Sequence, residues 1–139
     1  MKQLGLGLNL STKKTRKREF LEEMNRVVPW AALVQIVAPH YPKARTGRPP
    51  FGIETMLRIH YLQQWFGLSD PAMEEALHDI PLYREFAKLE GVMARLPDET
   101  TILRFRHLLE KHDLAADMLR LVNDILQAKG LLMRTGTVV

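Results

Sequence analysis

Four side chains that can bind a polyanion share one face of the segment that follows Leu96. At a helical spacing of four, three and four residues, they are Thr100, Arg104, His107 and Lys111. Each can donate hydrogen bonds to phosphate oxygens or base edges, and no acidic residue joins this face after its first turn. The pattern predicts a face that contacts nucleic acid. A merely solvated helix surface is the alternative.

The surrounding sequence also predicts the helix that carries this face. Asp98 is a strong N-cap because its carboxylate can accept hydrogen bonds from free backbone N–H groups, and Glu99 adds a favourable negative charge. Ile102, Phe105 and Leu109 converge on the opposite side, where they predict a surface that packs on a core. The helix is expected to begin at Asp98 and to have two chemically different faces.

Other residues predict further contacts with DNA. Thr101 and Arg106 lie on the same helix, and two basic clusters lie upstream: Lys13, Lys14, Arg16, Lys17 and Arg18, then Lys43, Arg45 and Arg48. Clustered Lys and Arg side chains bind nucleic acid by releasing counterions. The alternatives are a solvated segment for the first cluster and a stiff loop between helices for the second, which is rich in proline and glycine.

Charge is unevenly distributed along the chain. Residues 1–58 contain eleven Lys or Arg and four acidic residues, a net charge of +7. Residues 59–139 contain nine Lys or Arg and twelve acidic residues, a net charge of −3. The half of the chain that would attract an anionic partner is therefore N-terminal.

Length and composition bound the class of protein. With 139 residues, of which 46% are hydrophobic, the chain can form one core but is short for two domains. The absence of cysteine excludes disulfides and thiolate metal sites. No stretch approaches the roughly 20 apolar residues of a membrane-spanning helix, and the N-terminus has the wrong charge order for a secretory leader. A cytoplasmic protein without a membrane segment is expected.

Hydrophobic periodicity predicts an all-α fold, a compact bundle of about six to seven helices with a helix-turn-helix-like element. Residues 53–66 are apolar around nearly the whole circumference, which predicts a central buried helix that includes Trp65. Asp70 is expected to be the N-cap of the next helix, and residues 82–89 to form another. Residues 114–129 are the clearest amphipathic segment, and residues 131–139 are typical of a short strand-like tail.

Catalytic chemistry finds little support in the sequence. Two-metal phosphoryl transfer needs carboxylates that converge from separate elements, whereas acids here pair as neighbours, as Glu74 does with Glu75. Neighbours on a helix diverge by about 100 degrees and do not readily share one ion. His107 and His112 are five residues apart, which is not a helix-face repeat. No catalytic residue, metal ligand or cofactor is predicted.

Four blocks of sequence occur in a distinctive order. They are TGRPP (46–50) with ETMLR (54–58), YLQQWFGLSD (61–70), LPDETTI (96–102) with FRHLLE (105–110), and GTVV (136–139). In this combination the chain resembles the N-terminal, InsH-type domain of bacterial insertion-sequence DDE transposases of the IS-five group. The resemblance covers nearly the whole chain from about residue 17 onward.

The resemblance implies that residues 1–130 are a helical domain that binds double-stranded DNA at the terminal inverted repeats of the element, in the bacterial nucleoid. Residues 131–139 would begin an RNase H-like catalytic domain, whose acidic triad holds divalent metal ions and whose first aspartate follows GTVV. The chain to Val139 would then be non-catalytic. An alternative is an interaction module in which residues 53–66 and 114–129 form a homodimer, or a heterodimer that inhibits intact transposase. A complete enzyme with an unrecognised site is disfavoured by the lack of convergent acids.

Overall fold

The structure, a computed structural model, describes residues 13–43, 49–91, 95–128 and 130. Within these ranges the chain forms α-helices and no strand, so the predicted all-α class is confirmed. The seven α-helices of the described residues are α1 (Arg16–Val27), α2 (Trp30–Val37), α3 (Ile53–Phe66), α4 (Asp70–Asp79), α5 (Pro81–Phe86), α6 (Glu99–Lys111) and α7 (Leu114–Ala128). A 3-10 turn, Ala38–His40, extends α2. The expected strand-like tail, residues 131–139, lies outside the described residues.

Helix α3 forms the centre of the core, as its all-round apolar sequence predicted. Met56, Leu57, Ile59 and Leu62 are at most 1% exposed. Helices α2, α4 and α6 pack around α3, and α7 rests on α2 and α6. Gly67 ends α3 in the left-handed conformation, with a φ of 62°, which a glycine adopts without steric cost.

Two polar side chains are buried within this apolar helix, and neither was expected. The Arg58 guanidinium lies over the rings of Trp30 and Phe86, at 4.3 and 4.9 Å, and donates to Glu54 and to the Phe86 carbonyl. Burial lowers the pKa of Arg58, although its partner Glu54 opposes that shift. Gln63, which is 7% exposed, donates to the Leu68 carbonyl and to Asp70. Satisfied hydrogen bonds explain how both are tolerated in the core.

Local signals placed several helix ends correctly, but two expectations were wrong. Ser69, rather than Asp70, caps α4, because the Ser69 hydroxyl accepts from the Ala72 amide at 3.2 Å. Asp70 is the first residue of α4, and its carboxylate is engaged elsewhere. Helix α5 ends at Phe86 instead of residue 89, since Lys88 has a φ of 65° and cannot continue the helix.

The connection between α6 and α7 is short and tight. Only His112 and Asp113 separate the two helices, and Asp113 adopts a left-handed φ of 53°. The His112 ring stacks on His40, from the 3-10 turn after α2, with ring centres 4.0 Å apart. The turn between α6 and α7 is therefore braced from the end of α2.

The predicted helix-turn-helix-like element remains a prediction. The usual motif joins its two helices by a turn of about three or four residues. Helix α6 instead follows α5 after residues 87–98, and among the described helices it packs on α3, α4 and α7. No helix in the described part of the chain is long and apolar enough to cross a membrane.

Candidate nucleic-acid interface

Helix α6 has the two faces that the sequence predicted. Asp98 is its N-cap and accepts from the Thr101 amide at 2.8 Å, and this hydrogen bond is the main cause of the lowered pKa of Asp98. Ile102, Phe105 and Leu109 are no more than 5% exposed and join the core. The helix is thus held by its apolar side, which leaves the opposite side open to a partner.

The four residues expected on the open side are all exposed. They are Thr100, Arg104, His107 and Lys111. Within the described residues, neither Arg104 nor Lys111 takes part in an ion pair. Two cations and a histidine therefore lie along about two turns of one helix, available to an anionic partner.

The N-terminal end of α6 carries the opposite charge. The Glu74 carboxylate, from α4, accepts from the Glu99 amide at 2.8 Å, beside the Asp98 cap. Free backbone N–H groups at a helix N-terminus commonly bind phosphate. Here two of these groups are already bonded to carboxylates of the protein, so they are not free to bind a phosphate.

Arg106 faces away from the open side, toward the start of α4. Its Nη1 donates to the Asp70 carboxylate at 2.5 Å, and its Nε lies 3.8 Å from Glu110. The hydrogen bond from Arg106 is the largest cause of the lowered pKa of Asp70, and it raises the pKa of Arg106 in turn. The sequence assigned Arg106 to phosphate contact, but in this structure its guanidinium fixes α6 against α4. Thr101, also expected to contact DNA, is only partly exposed.

His60, on α3, lies near Phe105 and Arg106 of α6. Burial, reinforced by the charge of Arg106, lowers the pKa of His60 to about 4. The ring is therefore neutral at physiological pH, and its centre lies 6.4 Å from that of Phe105. No sequence signal distinguished it from the other histidines, because its environment depends on residues more than forty positions away.

The first basic cluster is partly neutralised within the protein. Lys17 donates to the Tyr83 hydroxyl at 3.0 Å and lies over the Phe66 ring, while Arg18 forms an ion pair with Glu85 at 3.1 Å. Lys14 pairs with Glu22 at 3.1 Å. Lys13 and Arg16 are exposed and form no ion pair within the described residues. The described contacts of this cluster are with α1 and α5 and with the end of α3, so they do not join it to the open side of α6.

The second basic cluster lies mostly outside the described residues. Lys43 is described and exposed, whereas Arg45 and Arg48 fall in the range 44–48, which is not described. The described residues that flank this range, Tyr41 and Phe51, contact each other next to α6. Of the basic residues upstream of α3, Lys43 is thus described two positions from Tyr41, whose ring contacts Phe105 on the core-facing side of α6.

A cleft of about 530 Å³ lies between α1, α3 and α5, with Arg58 in its wall. Its rim carries Arg18 and Lys88, but Glu22, Glu85 and Glu90 offset their charge. The cleft consequently does not select an anion by charge. Among the described residues, no group of three or more His, Asp or Glu side chains could hold a metal ion.

Comparison with known families identifies most of the chain. Residues 8–108 match the sequence profile of a family described as a transposase domain (DUF772). The matched range includes α1 to α5 and most of α6, and it ends before α7. No solved structure matches the chain.

Proposed function

The chain belongs to the transposase domain family DUF772, and on that premise we propose that it is the DNA-binding portion of an insertion-sequence transposase. The chain would bind double-stranded DNA at the terminal inverted repeats of the element. The resemblance to the IS-five group favours this assignment, and the bacterial nucleoid is then its place of action. In the range to Val139 the chain performs no strand cleavage and needs no cofactor, because the acidic triad belongs to the domain that follows in that group.

The open side of α6 is the observation that carries this proposal. A helix whose apolar side is anchored in the core can present Arg104, His107 and Lys111 to the major groove as a rigid row. Thr100 is nearest to the acidic N-terminal end and makes the weaker contact. Lys13, Arg16 and Lys43 supply sequence-independent phosphate contacts, since all three are exposed.

The intramolecular contacts refine which basic residues bind DNA. Arg106, Lys17 and Arg18 already have partners in the protein, which compete with phosphate for their donors. We therefore assign these three residues to holding α6 and α1 in place. Substituting them should weaken folding more than DNA recognition.

Fluorescence anisotropy with labelled duplexes tests this function. A duplex enriched from a random pool by the full chain is compared with a scrambled duplex across a salt series. Binding should fall steeply with salt, because each neutralised phosphate releases about 0.9 counterion. Arg104→Ala should reduce discrimination between the two duplexes by about 1 to 3 kcal/mol if Arg104 contacts a base edge.

Arg120→Ala is the matched control for that experiment. Arg120 is also an exposed helical arginine, but it lies on α7 and pairs with Asp117 at 3.1 Å. It should leave discrimination unchanged. Binding that does not depend on salt, or an equal loss of affinity for both duplexes from Arg104→Ala, would contradict the assignment of α6.

A dimerisation module is the second candidate function, and one observation favours it. Leu119 on α7 is 61% exposed, so it could bury apolar surface in a contact between two copies of the chain. Helix α3, the other segment of this alternative, has less apolar surface to offer, because Met56, Leu57, Ile59 and Leu62 are buried in the core, while Trp65 and Phe66 are partly exposed. Sedimentation of the native chain and of Leu119→Glu separates the two candidates. A dimer that Leu119→Glu dissociates, in a chain that binds no duplex, would favour the interaction module.

A further inference from the structure

The cleft between α1, α3 and α5 has a nearly buried arginine in its wall. Arg58 is 3% exposed, yet it lines this cleft of about 530 Å³ together with Leu21, Leu82 and Phe86. Its Nε donates to Glu54 and its Nη1 to the Phe86 carbonyl. A volume of this size is ordinary for a site that holds a small ligand. The cleft is therefore large enough for a ligand of amino-acid size.

One nitrogen of the Arg58 guanidinium has no acceptor in the described ranges of the chain, because Nη2 donates no hydrogen bond there. No enclosed side-chain nitrogen in these ranges lacks a partner, so Nη2 is open to solvent. Arg58 is otherwise buried and lines the cleft, so the unused donors of Nη2 open onto it. Arginine donors form their strongest hydrogen bonds with ionised acceptors such as carboxylates.

The guanidinium is already fixed in place in the free protein. Its central carbon lies 4.3 Å from the centre of the Trp30 ring and 4.9 Å from that of the Phe86 ring. The hydrogen bonds from Nε and Nη1 fix its plane. A donor that is already immobile loses little conformational freedom when a ligand binds, so less affinity is lost to ordering.

The charges around the cleft cancel in sum but not at Arg58. Glu22 and Glu85 are already paired with cations of the protein, each at 3.1 Å. Arg58 and Lys88 instead share the one carboxylate of Glu54, at 2.9 and 3.4 Å. One positive charge is thus in excess beside Arg58, and a single negative charge on a ligand would neutralise it.

We propose that this cleft binds a carboxylate that is joined to an apolar group. The carboxylate accepts from Arg58 Nη2, and the apolar group lies against Leu21, Leu82 and Phe86. Glu90 on the rim disfavours a polyanion such as DNA, so the ligand carries one negative charge. The inference does not depend on DNA binding by α6, since no residue of α6 lines the cleft.

An NMR titration of the isotope-labelled full chain with N-acetyl-L-leucine tests this site. The probe joins one carboxylate to one apolar side chain. The Trp30 indole N–H should shift saturably, because it donates at 3.3 Å to the carbonyl of Asn25, which lines the cleft. Trp65 does not line the cleft and provides the reference signal. N-acetyl-L-leucinamide, which lacks the charge, should bind at least about tenfold more weakly.

Substitutions in the cleft locate the binding. Arg58→Met removes the donor but keeps the packing, and it should weaken binding at least about tenfold. Lys88→Gln should weaken binding only about twofold to fivefold, because Lys88 is exposed. Leu82→Trp should prevent binding by filling the cleft while Arg58 stays in place, so the test does not rely on Arg58→Met alone. Arg120→Gln, on α7, is the matched control and should change nothing.

A second probe distinguishes two sources of the carboxylate. The dipeptide acetyl-leucyl-glutamyl-amide carries its carboxylate on a side chain, as an acidic segment of a partner protein would. Tighter binding of this dipeptide than of N-acetyl-L-leucine would assign the cleft to such a segment, and the reverse order would assign it to a small acid.

Three results would overturn the inference. Equal affinity for N-acetyl-L-leucine and its amide would show that the cleft does not recognise a carboxylate. The absence of a saturable shift up to the solubility limit of both carboxylate probes would leave Arg58 Nη2 to water. Binding that is unchanged in Leu82→Trp would lie outside the cleft.

Discussion

Asp70→Ala should destabilise the protein substantially, although Asp70 lies at the edge of the core. The carboxylate accepts from Arg106 at 2.5 Å and from Gln63 at 2.9 Å, and thereby joins α3, α4 and α6. Its side chain is 14% exposed and that of Arg106 is 33% exposed. Alanine removes both hydrogen bonds and leaves two donors without this acceptor.

The magnitude follows from these two bonds. A hydrogen bond to a charged group contributes about 1.5 to 3 kcal/mol, and the lower end applies because Arg106 remains partly hydrated. The Gln63 amide keeps the Leu68 carbonyl, so its lost bond adds about 1 kcal/mol. Asp70→Ala should therefore cost about 2 to 3 kcal/mol. Asp70→Asn, which keeps an acceptor but loses the charge, should cost about 1 kcal/mol.

Urea unfolding at pH 7, followed by tryptophan fluorescence, measures both changes. Asp79→Ala is the matched control, because Asp79 is exposed at the other end of α4 and its loss should stay within about 0.5 kcal/mol. The pKa of Asp70 is lowered in the folded state from its ordinary value of 3.8. The contribution of Asp70 to the free energy of unfolding is therefore complete above pH 3.8, and it disappears as the pH falls through the lowered pKa. The native chain and Asp70→Asn should converge in that acidic range. An Asp70→Ala cost no larger than that of Asp79→Ala would refute this reasoning.

Three further outcomes are expected. Urea unfolding should show a loss of about 3 kcal/mol for Arg58→Ala and of about 1 kcal/mol for Arg58→Met. Methionine keeps the packing against Trp30 and Phe86, and the Glu54 carboxylate that loses its partner can be hydrated. Equal losses for the two variants would contradict this account. Gly67→Ala should cost about 1 kcal/mol because of its left-handed φ, whereas Gly52→Ala, with a φ of −63° and open space around it, should be nearly neutral. Gel electrophoresis of supercoiled DNA incubated with the chain and Mg²⁺ or Mn²⁺ should show no nicked product. Metal-dependent nicking that persists through purification would oppose the non-catalytic assignment.

The parts of the fold that depend on local sequence were predictable. The Asp98 cap, the two faces of α6 and the end of α3 at Gly67 each follow from a few neighbouring residues. The start of α4 was not predictable from local sequence, because Ser69 and Asp70 are both good N-caps. The choice between them depends on Arg106, which lies 36 positions from Asp70 and takes its carboxylate.

The candidate site divides in the same way. The helical repeat predicted that Arg104 and Lys111 are exposed, and both are exposed in the structure. The roles of Arg106 and Lys17 could not be read from their charge, since their partners Asp70 and Tyr83 are distant in sequence. The contact of Tyr41 with Phe105 was missed for the same reason, because the two residues are 64 positions apart.

Because only His112 and Asp113 separate α6 from α7, the direction of α7 depends closely on that of α6. A helix of 15 residues is about 22 Å long, so a tilt of about 10 degrees at the turn would move its far end by about 4 Å. The stacked imidazoles of His40 and His112, and the packing of α7 on α2, resist that tilt. A change in the orientation of α6 on binding a partner would therefore reach the far end of α7 only by displacing these contacts.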